Sequence, residues 1–541
     1  MVRPCHALRF VSAAISIAVY AAAWGASGDV VTTQSGPVRG DTEAGVAVFR
    51  GIPYAQAPVG ALRFRAAHPV GAWTEVRTAL DFAPACPQEV GIDPTENNNS
   101  VMSEDCLAVN VWTPNPDGKA RPVMVWIHGG AMIEGSARNS WYDGARLAAR
   151  GDVVVVSLQY RLGALGFLDL SRIGGRDFAS SGNLGLLDQI AALHWVRQNI
   201  RAFGGDPHNV TIFGESAGGS SVAMLLTMPA ARGLFDKAII QSMGPQLGDV
   251  PEPHSETVRA IMKAAHVTTI AGLQALRMED LLEAQRLVSP LTSGLQLEPI
   301  IDGITVLGHA VRLMEDGKGA NVPLLIGTTL DESEYWDTIE DIGQRRKPAK
   351  LLDKQLSALG PRAGAVRNAY FHDQADRYGD DVIALATDVI FRIPSIRVAE
   401  ATHARQPTWM YLLTYRSSST YKNYRSAHSM ELPFVFGNVN DLDEIAFIGR
   451  DPDRERLSAD VQSAWIAFAH SGDPNAPGLP HWPSYDTKAR ATIGLGKRVE
   501  LLTDPQGEQR KVWDGLPFDG TAPPMKVLVP IMFDNESRPA E

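Results

Sequence analysis

Ser216 lies within Asn209-Val-Thr-Ile-Phe-Gly-Glu-Ser-Ala-Gly-Gly219. Val210 to Phe213 is a short, β-branched apolar run that reads as a buried strand. Gly214-Glu215-Ser216-Ala217-Gly218 follows at once, and Ser220 to Met228 reads as a helix. A G-x-S-x-G placed between strand and helix forces a sharp turn and lifts the serine to its tip. The Ala217 N–H, at the helix start, then points to where an oxyanion would form. The pentapeptide alone is a weak signal, and its placement is what gives it weight.

A serine hydroxyl needs a base to take its proton, and the base needs an acid to orient it. On this turn the acid and then the histidine follow the serine in the chain. Pro323-Leu-Leu-Ile-Gly-Thr-Thr-Leu-Asp-Glu332 ends a strand-like run with two candidate acids, Asp331 and Glu332. His372, His403, His428, His470 and His481 come later. His428 stands out in the loop Ser426-Ala-His-Ser-Met430, ahead of Leu432-Pro-Phe-Val-Phe-Gly437, with His470 in reserve. Oxyanion donors belong on a Gly-rich loop after an early strand, and Val123-Met-Val-Trp-Ile-His-Gly-Gly-Ala131 supplies one.

The elements around these residues alternate. Val109 to Thr113, Val123 to Ile127, Asp152 to Leu158, Ala238 to Gln241, Val322 to Gly327 and Trp409 to Thr414 read as strands. Leu186 to Ile200 has helical spacing. Val30 to Arg39 and Val46 to Phe49 read as an opening strand pair, and 250–320 and 337–400 as helical insertions. This pattern predicts one doubly wound α/β sheet, with residues 28–541 forming a single domain.

Composition supports a large buried core, with 45% hydrophobic and 21% charged residues among 541. The net charge of −11 is spread along the chain. With no basic patch and no zinc-type Cys/His spacing, nucleic-acid binding and a metal centre are not expected. Residues 1–27 carry Arg3 and Arg9, an apolar core from Phe10 to Ala23 and small residues beyond. That is the pattern of a cleaved secretory signal, too short for a span of about 20 residues. No later stretch is apolar enough to cross a membrane. Removal of Cys5 with the signal leaves Cys86 and Cys106, which in an oxidising compartment most simply pair. A secreted or periplasmic protein is the expectation.

Several motifs together resemble the type-B carboxylesterase family, the group of carboxylesterases, cholinesterases and related lipases. They are Phe49-Arg-Gly-Ile-Pro-Tyr54, Leu62-Arg-Phe64, Glu104-Asp-Cys-Leu-Ala-Val-Asn110, Gly182-Asn-Leu-Gly-Leu-Leu-Asp-Gln189, Phe203-Gly-Gly-Asp-Pro207 and Phe213-Gly-Glu-Ser-Ala-Gly-Gly219. The resemblance, from about residue 30 to 490, implies an α/β-hydrolase fold and ester hydrolysis without metal or organic cofactor. It implies Ser216 as nucleophile, Glu332 rather than Asp331 as acid, and His428 as base. Gly130, Ala131 and Ala217 would be the oxyanion donors, and Cys86 with Cys106 the first disulfide. Arg63 with Glu104 and Arg161 with Asp188 would be scaffold ion pairs.

Three positions depart from the family pattern. Ala131 replaces the usual third glycine and sets a methyl at the edge of the oxyanion or acyl region. Ser333 replaces a glycine after the acid. No tryptophan lies between Cys86 and Cys106, where choline-binding members hold a quaternary ammonium by cation–π contact. That argues against a cholinesterase, and the resemblance implies a small-molecule carboxylic ester as substrate. A lipase, an esterase for a bulky ester such as a toxin, pesticide or aromatic ester, and a non-catalytic adhesion protein are the alternatives on this fold.

Overall fold

The computed structural model of the chain describes residues 28–89, 101–244, 251–288, 297–338, 349–371 and 378–516. The expected signal at 1–27, the tip of the Cys86–Cys106 segment, His372 and the apolar run Val527 to Phe533 lie outside the described residues.

The strands, in chain order, are β1 (Val30–Thr32), β2 (Pro37–Arg39), β3 (Asp41–Glu43), β4 (Val46–Pro53), β5 (Arg77–Thr78), β6 (Ala108–Thr113) and β7 (Arg121–Ile127). They continue with β8 (Val154–Leu158), β9 (Gly205–Glu215), β10 (Lys237–Gln241), β11 (Leu324–Thr329), β12 (Thr408–Leu413), β13 (Ala491–Leu495) and β14 (Val499–Thr503). Eleven of them form one sheet in the order β14-β13-β12-β11-β10-β9-β7-β8-β6-β4-β3. From β8 to β13 neighbours run parallel, while β3, β4, β6 and β14 add antiparallel margins.

Parallel strands need crossovers, and crossovers cover both faces, so these strands are mostly apolar. Every residue of β7, β8, β10 and β11 is buried. Alternate side chains feed two cores. Val123, Val125 and Ile127 of β7 pack on one face with Leu186, Ile190 and Leu193 of helix α1 (Leu184–Asn199). Val222 of helix α2 (Ala217–Leu225) belongs to the same core. Met124 and Trp126 point the other way, with Val461, Trp465 and Phe468 of helix α3 (Arg454–Ser471).

The strand order places the chemistry. The chain leaves β7 for β8 on one side, and leaves β9 for β10 on the other. Between the carboxyl ends of β7 and β9 the crossovers diverge and leave a crevice, the usual ligand position in an open α/β sheet.

The opening strands differ from the expected single pair. Val30–Arg39 folds into its own hairpin, β1 with β2, in a separate three-stranded sheet with β5. Val46 onward pairs instead with β3 and β6. Gly36 and Gly45 each take a positive φ, so two tight turns divide a stretch that alternation alone reads as one unit. β13 and β14 had no counterpart in the sequence reading, because Ala-Thr-Ile-Gly-Leu is short and interrupted by glycine.

Cys86 and Cys106 are joined in a disulfide with Cα atoms 5.1 Å apart. Both expected ion pairs are present. Arg63 Nε donates to Glu104 Oε2 at 2.8 Å, and Arg161 Nε and Nη2 each donate to Asp188 at 2.7 Å. Asp188 is fully buried, so removing its partner strands a charge in the interior. Arg161→Met should lower unfolding stability by about 3–5 kcal/mol. A urea transition shifted by less than about 1 kcal/mol would show that water reaches the pair.

Candidate active site

β9 ends at Glu215 and α2 begins at Ala217, so Ser216 is the whole turn. Its φ of 56° and ψ of −122° lie outside the regions open to residues with a Cβ. Its N–H donates to Gln241 O at 3.0 Å, and its carbonyl accepts from Ser220 N at 2.9 Å. A Cβ on Gly218 would lie 2.0 Å from Ile127 O, so only glycine lets α2 pack this close to β7. The helix starts three residues earlier than expected because the turn nucleates it directly.

After β7 the chain turns through Gly130 at φ 100°, Ala131 at 50° and Met132 at 64°. Among the described residues the amides of Gly130 and Ala131 have no acceptor, whereas Gly130 O accepts from Ile133 N and Glu134 N. The Ala217 N–H, first in its helix, has no intrahelical acceptor. Ala131 is exposed and Ala217 buried. Beneath the turn, His128 stacks on Tyr160 with ring centroids 4.4 Å apart. Burial lowers its pKa to about 4, so it stays neutral.

Of the two candidate acids, the geometry brings only one to His428. Glu332 Oε2 lies 2.6 Å from His428 Nδ1, and Glu332 Oε1 accepts from Thr329 N at 2.7 Å. The His428 N–H also donates to Glu332 O at 3.2 Å. Asp331 faces away, toward Arg416 at 3.5 Å and the Ser426 N–H. The reserve histidine is remote from this cluster: His470, at the end of α3, pairs with Gly151 O at 2.8 Å.

His428 Nε2 is paired with Glu215 Oε1 at 3.0 Å rather than with Ser216. Ser429 Oγ donates to the same carboxylate oxygen at 2.8 Å. Glu431 lies in the same buried cluster, accepting from Gln241 Nε2 at 3.2 Å, while Gln241 Oε1 accepts from Trp465 Nε1 at 3.1 Å. Burial would push the His428 pKa down, but the carboxylates of Glu215 and Glu332, with Glu431 behind them, outweigh it and raise it to about 9. Burial raises Glu215, against the pull of His428. It raises Glu431 too, helped by the charge of Glu332. The arrangement can hold a proton on the imidazole and pass it to an atom at Nε2.

The sequence profile of the carboxylesterase family matches residues 27–513. The para-nitrobenzyl esterase of Bacillus subtilis (strain 168) is 41% identical over 494 residues, 89% of this chain and 98% of that protein. The chain belongs to the carboxylesterase family. It is a carboxylic ester hydrolase on an α/β-hydrolase fold. The phenmedipham hydrolase of Pseudarthrobacter oxydans is 35% identical across 86% of this chain and 95% of its own. Among solved structures, a carboxylesterase of Geobacillus stearothermophilus matches with a TM-score of 0.82 at 37% identity, over 90% of this chain and all of that one.

Sequence reasoning gave no role to Glu215, although it is quoted within the serine motif. Its signal was the run itself, since a glutamate closing a buried strand needs a partner. Trp336 and Phe391 were also missed. Their rings lie 5.0 and 4.7 Å from the His428 ring. Phe391 sits in a single π-helical turn, Asp388–Arg392, which leads into helix α4 (Ile393–Thr402) without a glycine to announce it. Of the family departures, Ser333 is buried, and its backbone N–H donates to Thr387 Oγ1 at 3.2 Å, a bond a glycine would also make.

A carboxylate favours the imidazolium, so its loss must lower the histidine pKa. Glu215→Gln should move the His428 titration down from about 9 toward the ordinary histidine range. The downfield Nδ1–H proton resonance followed against pH checks this, and an unmoved midpoint would refute the assignment of Glu215 as the main raising charge.

Proposed function

We propose that this carboxylesterase works by acyl transfer through Ser216, His428 and Glu332. The observation that carries this reading is the His428 Nδ1 to Glu332 Oε2 contact of 2.6 Å, beside a strained serine and amides that have no acceptor among the described residues.

As the ester enters, His428 gives its Nε2 proton to Glu215, and the neutral imidazole turns toward Ser216 and accepts the hydroxyl proton. Ser216 Oγ bonds to the carbonyl carbon, and the carbonyl π electrons move onto oxygen. The N–H groups of Gly130, Ala131 and Ala217 hold that oxyanion. The tetrahedral adduct collapses, the C–O bond to the alcohol breaks, and His428 gives its proton to the departing oxygen. Water then repeats the sequence on the acyl-enzyme, releasing the acid and restoring Ser216. Glu332 orients the ring through Nδ1 and balances the imidazolium.

Trp336 and Phe391 favour a second, narrower reading, an ester with an aromatic or bulky apolar group packed beside the histidine. The names of the Bacillus esterase and the Pseudarthrobacter hydrolase support it by kinship. The Ala131 methyl, exposed at the edge of the oxyanion turn, would trim the acyl side.

Purified protein should hydrolyse p-nitrophenyl esters from acetate upward, fastest at short chains. Rates climbing to palmitate would favour a lipase, and inertness toward every ester would favour a binding role. Ser216→Ala should form no acyl-enzyme while folding normally. Glu332→Gln should lose on the order of 10⁴ in kcat, by analogy with triad acids, whereas Asp331→Asn should keep near-normal turnover.

We also propose export. The charged start and apolar core of residues 1–27 support it, as does a disulfide, which persists in oxidising compartments. Mass spectrometry of the protein from an expressing bacterial host should find a mature N-terminus just past Ala23 to Ser27. An intact Met1 in the cytoplasm would overturn this.

A further inference from the structure

The oxyanion turn is held by more than its own hydrogen bonds. Ala131 and Met132 occupy left-handed backbone in succession, which residues with a Cβ avoid unless their surroundings allow nothing else. The far end of the turn is Gly135, at φ 103°, where an added Cβ would lie 2.5 Å from both Gly129 O and His128 Nδ1. The two limbs of the turn therefore touch at Gly135. Whatever fixes Gly135 fixes the limb that carries Gly130 and Ala131.

Gln88 fixes it. Its side-chain amide forms a two-bond ring with the Gly135 backbone: Nε2 donates to Gly135 O at 2.9 Å, and Gly135 N donates to Oε1 at 3.0 Å. The second Nε2 hydrogen goes to Cys86 O at 3.0 Å. Gln88 is 1% exposed, so water does not compete for these bonds. Cys86 is bonded to Cys106, which stands two residues before β6. A continuous route therefore runs from the sheet through the disulfide and one glutamine amide to the oxyanion turn. The next residues are tied separately, by Gln159 to Ala137 N and Ser136 Oγ.

We propose that Gln88 is a positioning residue for the oxyanion amides and that the Cys86–Cys106 disulfide is its anchor. Esterase turnover, and not only stability, then depends on the disulfide. This rests on the reading of Gly130 and Ala131 as oxyanion donors.

A trifluoromethyl ketone separates the two claims. Ser216 Oγ adds to its carbonyl carbon, the Ser216 proton passes to His428, and the resulting alkoxide sits where an ester oxyanion would. Wild-type protein that fails to bind the ketone would overturn the site reading itself. Given tight wild-type binding, Gln88→Met should lower kcat and raise the ketone Ki by the same factor, about 10-fold or more, with KM within about 2-fold. This is a fraction of the 10²–10³ that a missing donor costs. Gln88→Glu keeps the shape and the acceptor for Gly135 N–H, and serves if Gln88→Met does not fold. A variant with lower Tm but unchanged kcat and Ki would reduce Gln88 to a structural residue and overturn the proposal. Cys86→Ala with Cys106→Ala should shift kcat and Ki in the same direction. Adding Gln88→Met should then cost less than it does in the intact protein, because both act through one route. Strictly additive effects would overturn the anchoring role of the disulfide.

Discussion

Ser216 is held at φ 56° and ψ −122°, and the fold is arranged so that it has no alternative. Its N–H is committed to Gln241 at the end of β10, and its carbonyl to the first turn of α2. Relaxing the serine would pull α2 off β7, against which glycine 218 alone allows it to pack. The cost of one strained residue is small beside the core built by the strands and helices on either side. Two consequences follow from this constraint: the hydroxyl stands clear of the sheet, and the Ala217 amide faces the same space.

Electrostatics set the second condition. Glu215, Glu332 and Glu431 are all buried around a single histidine. In water three carboxylates would be indifferent neighbours, but in a low-dielectric interior each pair repels strongly. The cluster persists because His428 can bear a proton between Glu332 and Glu215, and because Glu215 and Glu431 hold protons more readily than free carboxylates. The cluster thus favours positive charge on the imidazole. Trp336 and Phe391, packed over the ring, exclude water from it and keep the local dielectric low.

Much of the fold and most of the proposed site were legible in the chain. A strand, a tight turn and a helix around Ser216 carry a local pattern, because glycine spacing and apolar runs are local properties. Between Asp331 and Glu332, however, nothing in the sequence beyond family resemblance decides. They are adjacent, equally charged and equally placed after β11. Tertiary packing separates them, since one carboxylate points to His428 and the other to Arg416. The helical insertions were readable as helical, but not the π-helical turn that sets Phe391 on the histidine. One extra residue in a turn leaves no trace in composition.

The chain by itself determined the reaction class, the parallel sheet, the serine turn and the pairing of Cys86 with Cys106. Each depends on spacing between near neighbours or on residue types with few other uses. Family resemblance pointed to Glu332, but only the tertiary structure showed that it and not Asp331 meets His428, that Glu215 holds the other ring nitrogen, and that Gln88 links the disulfide to the turn after β7. Those contacts join residues far apart in sequence. They come into being when β7, β9 and β11 align their carboxyl ends, because sheet register and not local preference fixes which loops meet there.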